Sequence, residues 1–214
     1  MALWSYTECM EGTITDAASR KSPRTKRGER TRARLLDAAA AEFGERGFHD
    51  ASISGITQRA GTALGTFYTY FDSKEELFRS LVQEMSNKVK ERAGAAVTPE
   101  MDPFTVERAA LESFLAFARE HKVIYRIIDE AEFVDPASYR DHYERTARRI
   151  LDRLRTGADA GQIRSDAEEV HAWALMGMNV FLGLRYAIWD SDRSLDEVSW
   201  IANRMLRDGL ARRG

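Results

Sequence analysis

The chain has 214 residues, 43% hydrophobic and 31% charged, enough for one domain or two small ones with a core that needs no staples. Its single cysteine, Cys9, excludes an internal disulfide and a cysteine-based zinc site and fits a reducing, cytoplasmic setting. The net charge of −2 hides a segregation, because residues 20–34 hold eight Lys and Arg side chains against Glu29 alone, a net +7, and leave −9 to the remainder. From charge alone, that basic segment suits either a localised polyanion contact or a solvated tail.

Residues 1–25 show no sustained period and no secretory pattern, and read as a disordered basic arm. From about Arg27 the pattern turns helical: Leu36, Ala39, Ala40 and Phe43 share one face until Gly47 ends the helix. Ser52 is placed to cap a second helix through Ile56 to Ala60, Gly61 stops it, and a short third helix runs from about Ala63 to Tyr70. Ser73-Lys74-Glu75-Glu76 is a capping box opening a fourth helix. Asp102-Pro103 and Asp135-Pro136 each set a capping side chain before a first-turn proline, and Ser165-x-x-Glu168 and Ser194-x-x-Glu197 are further capping boxes. The spacing predicts helices over about 103–120, 122–131, 136–156, 166–189 and 195–209, an all-α chain of about nine helices. Residues 170–189 are the most apolar window, but Arg185 within it and the acids before it favour a buried helix over a membrane span.

Function is most legible in Ser52–Lys74. Two short helices joined by a Gly-containing turn form a helix-turn-helix. Ile53, Ile56, Ala60, Phe67 and Phe71 are spaced to pack against Leu36 and Phe43, which leaves Leu64, Gly65, Thr66, Tyr68, Thr69 and Tyr70 facing outward. A solvated face would carry Lys and Glu; Gly, Thr and Tyr suit a duplex. Gly65 admits a close backbone, hydroxyls of Thr66, Tyr68 and Tyr70 bond phosphates, and Leu64 and Thr66 touch thymine methyls. Lys74, with the N-terminus of its helix, is expected to hold a phosphate.

The run "SISGITQRAGTALGTFYTYFDSK" resembles the DNA-binding signature of the TetR (tetracycline-repressor-like) transcription factors, strongly over about residues 27–82. That resemblance implies a homodimer with a helix-turn-helix DNA-binding domain (26–82) and a C-terminal effector-binding and dimerisation domain (83–214). Carried over by position, Leu64, Gly65, Thr66 and Tyr68 face the major groove, Tyr70 and Lys74 hold phosphates, Ser52 and Ser54 reach the backbone or a base edge, and Arg27 lies against phosphate or minor groove. The family commonly has Ala, Val and Ser where Thr57, Thr62 and Ala63 stand. Losing that Ser removes the recognition helix's cap unless Thr62 supplies one.

The C-terminal half holds most of the aromatic residues. Phe114, Phe117, Phe133, Tyr143, Trp173, Met176 and Asn179 are the candidates for lining an apolar or aromatic ligand, with Arg126, His142 and Arg185 as further polar candidates for orienting it. The 166–189 and 195–209 helices are expected to pair with their copies as a four-helix dimer interface. Nucleophile elbows, phosphate-binding glycine loops and paired metal-ligand histidines are missing from the sequence, so neither an enzyme nor a cofactor is expected. The reading is a ligand-responsive regulator, a repressor released from operator DNA by its effector. A DNA-compacting protein without an effector and a small-molecule sequestering protein stand as alternatives.

Overall fold

The computed structural model describes residues 23, 25–98, 100–189 and 192–210. Most of the arm at 1–25, including Arg20, Lys21 and Arg24, lies outside the described residues. Among those described there are nine α-helices and no β-ladder: α1 (Lys26–Asp50), α2 (Ile53–Arg59), α3 (Leu64–Tyr70), α4 (Lys74–Ala95), α5 (Pro103–Glu120), α6 (Val123–Val134), α7 (Pro136–Asp159), α8 (Glu169–Gly183) with a π-helical continuation over Leu184–Trp189, and α9 (Leu195–Leu210). None of the described helices is long and apolar enough to cross a membrane.

Local chemistry sets the helix starts. Thr25 accepts from Gly28 N–H at 3.1 Å, Ser52 from Gly55 N–H at 3.0 Å and Ser73 from Glu76 N–H at 3.1 Å. Asp102 and Asp135 cap α5 and α7 ahead of their prolines. Gly47, at φ +80°, breaks α1 where only a glycine takes that backbone without strain.

Two expectations are corrected. The helix expected from Ser165 starts at Glu169, with Glu168 as its cap residue and His171 Nδ1 accepting from Glu168 N–H at 3.0 Å. Arg164 and Asp166 pair with each other, which holds the preceding residues in a turn. The same helix does not stay α-helical to 189. Tyr125 Oη donates to the Val180 carbonyl at 2.7 Å and presses against Gly183, and from Leu184 the backbone widens to π geometry. Leu184 N–H still reaches the Val180 and Phe181 carbonyls, so the Tyr125 hydroxyl shares the Val180 oxygen at the point where the geometry changes.

The core of α1–α3 does not close on itself. Leu35, Phe43, Ile56, Phe67 and Phe71 are continuous with Leu77, Phe78 and Leu81 of α4 and with Ile124, Ile127 and Ala131 of α6. Residue 82, where the sequence suggests a domain boundary, therefore falls inside a helix whose side chains serve both halves. A polar clasp reinforces the junction: Phe48 N–H donates to Glu130 Oε2 at 2.8 Å, and Arg126 Nη1 donates to the Gly44 carbonyl at 2.8 Å. Smaller cores join α5, α7 and α8 through Phe104, Ile150, Leu154 and Leu175, and α5 to α9 through Leu111, Leu115, Val198 and Ala202.

Candidate nucleic-acid interface and internal cavity

Helix α3 has two unlike faces. Phe67 and, just past the helix, Phe71 are buried and anchor it, whereas Leu64 and Tyr68 are each 49% exposed. Gly65 and Thr69 are exposed too, and Thr66 and Tyr70 are half-buried. A Cβ built on Gly65 would meet nothing within 4 Å, so the protein's own packing does not require a glycine there. Ser52 and Ser54 at the start of α2 and Arg27 at the start of α1 are exposed, and the Tyr70 hydroxyl lies beside Gly28. Ala63 precedes α3 without a side-chain cap. Thr62 does not substitute, because its hydroxyl is buried with no hydrogen-bond partner among the described residues.

The angle between α1 and α2 is held by a carboxylate that periodicity does not single out. Glu42 is 2% exposed and bonds Arg59 Nε at 2.8 Å and Arg46 Nε at 3.2 Å. A buried acid paired twice ties the two helices in one register.

Lys74 departs from its expected role. Its ammonium faces inward, donating to the carbonyls of Phe48 at 2.7 Å, Ala51 at 2.9 Å and His49 at 3.2 Å, over the Phe48 ring at 4.5 Å. An ammonium has three N–H donors, and here all three have carbonyl partners. The carbonyls lie where α1 ends and the chain turns into α2, and carbonyls at a helix end lack helical partners; Lys74 supplies the donors.

Between α4, α5, α6, α7 and α8 lies a cavity of about 490 Å³. Phe114, Tyr143, Met176 and Asn179 line it, together with Val89, Ile124, Tyr125 and Ile128, which sequence reasoning missed. The signal for the last three was their common face on α6. Asn179 Oδ1 is buried without a hydrogen-bond partner among the described residues. Burial raises the Tyr125 and Tyr143 phenols well above the usual range, so both stay protonated.

Three expected lining residues are elsewhere. Phe117 is core, 1% exposed and stacked on His121 at 4.2 Å. Phe133 projects from α6 into solvent at 81% exposure. Trp173 is 40% exposed, with its indole N–H donating to Glu169 at 3.1 Å. Helical phase decides the case of Phe133, which lies opposite Ile124 and Ile128 on α6; Trp173 and Phe117 share stripes with the lining residues Val180 and Ala110 and differ from them in position along the helix.

Of the polar candidates, Arg126 belongs to the clasp, Arg185 lies over the Tyr186 ring at 5.2 Å, and His142 is in the cavity wall. His142 Nδ1 meets Ser86 Oγ at 2.5 Å. Burial, and then the charge of Arg149, push its imidazole down to about 4, so it is neutral near pH 7. His142 and Arg149 also border a second, polar cleft of about 440 Å³ that includes Arg32 of α1, Arg79 and Ser86 of α4, and Arg145 of α7.

Residues 35–81 match the family model for bacterial regulatory proteins of the tetR family. Over 64 residues the chain is 47% identical to an uncharacterized HTH-type transcriptional regulator, YdgC, of Bacillus subtilis, a match covering 30% of this chain and 33% of that protein. It is 26% identical over 194 residues to the HTH-type transcriptional repressor KstR2 of Rhodococcus jostii, covering 87% of this chain and 93% of that one. Among solved structures, a TetR-like transcriptional regulator from Rhodococcus sp. RHA1 superposes with a TM-score of 0.68 at 25% identity, over 84% of this chain and 94% of the other.

Proposed function

The chain belongs to the tetR family of bacterial regulatory proteins, and on that premise we propose that it is a homodimeric repressor released from operator DNA by a small apolar or aromatic effector. The observation that carries this reading is a helix of Leu64, Gly65, Thr66 and Tyr68 turned outward on buried phenylalanines, whose core is continuous with α4, a wall of the cavity. The outward residues read the major groove, Leu64 and Thr66 by apolar contact and Tyr68 by its hydroxyl. Tyr70, Ser52, Ser54 and Arg27 fix the register on phosphates.

The dimer is supported by an apolar surface left uncovered on α8, its π-helical continuation and α9: Phe181 is 72%, Trp189 70% and Met205 64% exposed. A patch of this kind marks an interaction site. A two-fold axis through it would place two copies of α3 about one turn of DNA, ~34 Å, apart or more. Effector binding acts on that spacing through α4 and through the Glu130–Phe48 clasp, which both join the cavity walls to the reading head. A coupling of roughly 1–3 kcal/mol gives a 5–150-fold change in operator affinity.

The experiment is selection of bound fragments from genomic DNA, followed by competition with random DNA and titration of a library of apolar and aromatic compounds. A preferred site whose affinity falls as a bound compound is added supports the reading. Sequence-indifferent binding favours a compacting protein, and ligand binding that leaves operator affinity unchanged removes the switch.

A further inference from the structure

We propose that the effector is an amphiphilic anion, an aliphatic chain lying in the cavity with its negatively charged head on Arg149. The inference rests on the cavity being the effector site and adds the chemistry of its ligand.

Helix α7 carries arginines at 145, 149 and 153, one stripe at i, i+4 and i+8. The outer two are matched. Arg153 bonds both oxygens of the buried Glu107, at 2.5 and 3.0 Å. Arg145 reaches Asp141 at 3.2 Å and the Gln83 amide oxygen at 3.1 Å. Arg149 between them is half-buried and bonds only the Thr146 hydroxyl at 2.9 Å, with no carboxylate among the described residues. Burial and the two flanking guanidinium groups disfavour its charge. A half-buried cation without a counter-ion is costly, and a ligand anion removes that cost through a bidentate bond that a guanidinium is shaped to make.

Arg149, which has no carboxylate partner among the described residues, is also placed where a ligand can reach it. Arg149 stands in the wall of both the apolar cavity and the polar cleft. His142 beside it is neutral and does not compete for the anion. The cavity's own carboxylates, Asp129 and Asp152, are exposed at its rim. A ligand with its chain against Tyr125, Tyr143 and Met176 would set its head at Arg149. If that head is larger than a carboxylate, the cleft beyond offers Arg145 and Arg32. A fatty acid and a phosphate-bearing acyl conjugate share this chemistry.

The test uses the full chain at pH 7.5 and three probes of equal tail length, titrated by calorimetry: palmitate, palmitoyl-CoA and hexadecanol. The expected result is that at least one anion binds about tenfold or more tightly than hexadecanol, a difference of ~1.4 kcal/mol. Arg149→Gln erases that gap and leaves hexadecanol binding intact, and Arg149→Lys restores part of it. A further loss in Arg145→Gln confined to palmitoyl-CoA assigns the head to phosphate; its absence, with palmitate bound, assigns it to carboxylate. Hexadecanol binding as tightly as both anions overturns the inference, as does Arg149→Gln weakening all three alike. Should Arg149→Gln not fold, the wild-type comparison of anion with alcohol still decides. Failure of all three to bind ends the inference, and displacement of the neutral dye Nile red by apolar compounds then shows separately whether the cavity takes ligands at all.

Discussion

The Lys74 ammonium sits 2.7 Å from the Phe48 carbonyl oxygen and 4.5 Å above the Phe48 ring, so one residue at the start of α4 both caps and covers the broken end of α1. This pairs the helix that leaves the reading head with the turn that enters it. Charge-assisted bonds are worth roughly 1.5–3 kcal/mol each where they leave a buried partner unsatisfied on removal. Lys74→Met, which keeps the apolar stem, is expected to lower stability by about 2–3 kcal/mol on that basis, measured by urea unfolding. Unchanged stability with a selective loss of operator affinity would return Lys74 to a phosphate role.

Gly65 gives the opposite separation of fold from function. A methyl group there meets nothing within 4 Å, and helical glycine costs about 1 kcal/mol relative to alanine. Gly65→Ala is therefore expected to stabilise the free protein by about 0.5–1 kcal/mol while weakening operator binding at least severalfold in a mobility-shift titration, because the added carbon stands where DNA must approach. Unaltered affinity would show that α3 does not bring its backbone against the duplex.

The uncapped start of α3 offers a gain. Ala63→Ser places a hydroxyl acceptor where the helix has none, and a cap is typically worth ~1 kcal/mol. A rise in the unfolding midpoint without a change of slope is the expected outcome; no rise would mean that the introduced hydroxyl finds no free N–H within reach.

The uncovered apolar face makes a claim about assembly. Phe181 and Met205 are among its most exposed members, and neither supports a core of the single chain. Phe181→Glu combined with Met205→Glu is expected to leave helical content unchanged and to yield a monomer by sedimentation velocity at micromolar concentration. Operator affinity should fall by more than about a hundredfold, since each reading head then binds one half-site alone.

His142 sets a pH dependence. Its folded value of about 4 lies below the ordinary 6.5, so between those limits the unfolded chain binds the extra proton. Stability contributed by the neutral imidazole is complete above pH 6.5 and is lost as pH falls towards 4, by up to ~3 kcal/mol. His142→Gln cannot ionise but keeps a partner for Ser86. Urea unfolding at pH 7.5 and pH 5 should show a smaller acid loss in this variant than in the wild type, and equal losses would mean that His142 is solvated.

The sequence by itself determined the all-α class and the caps at Ser52, Ser73, Asp102 and Asp135. These follow from side chains within a few residues of one another, where geometry is dictated by the chain's own covalent spacing. Other features were decided only by tertiary structure. Lys74 answers to carbonyls more than twenty residues away, Phe133 faces outward because of how α6 is rotated in the bundle, and the Val180 carbonyl, just before the π-helical stretch, also accepts from Tyr125 of another helix. Arg149 looks like its neighbours Arg145 and Arg153 in sequence, and differs from them only in what the fold does not bring to it. Periodicity reports which face a residue occupies on its helix, but the partner of that face is a property of packing between segments far apart in the chain.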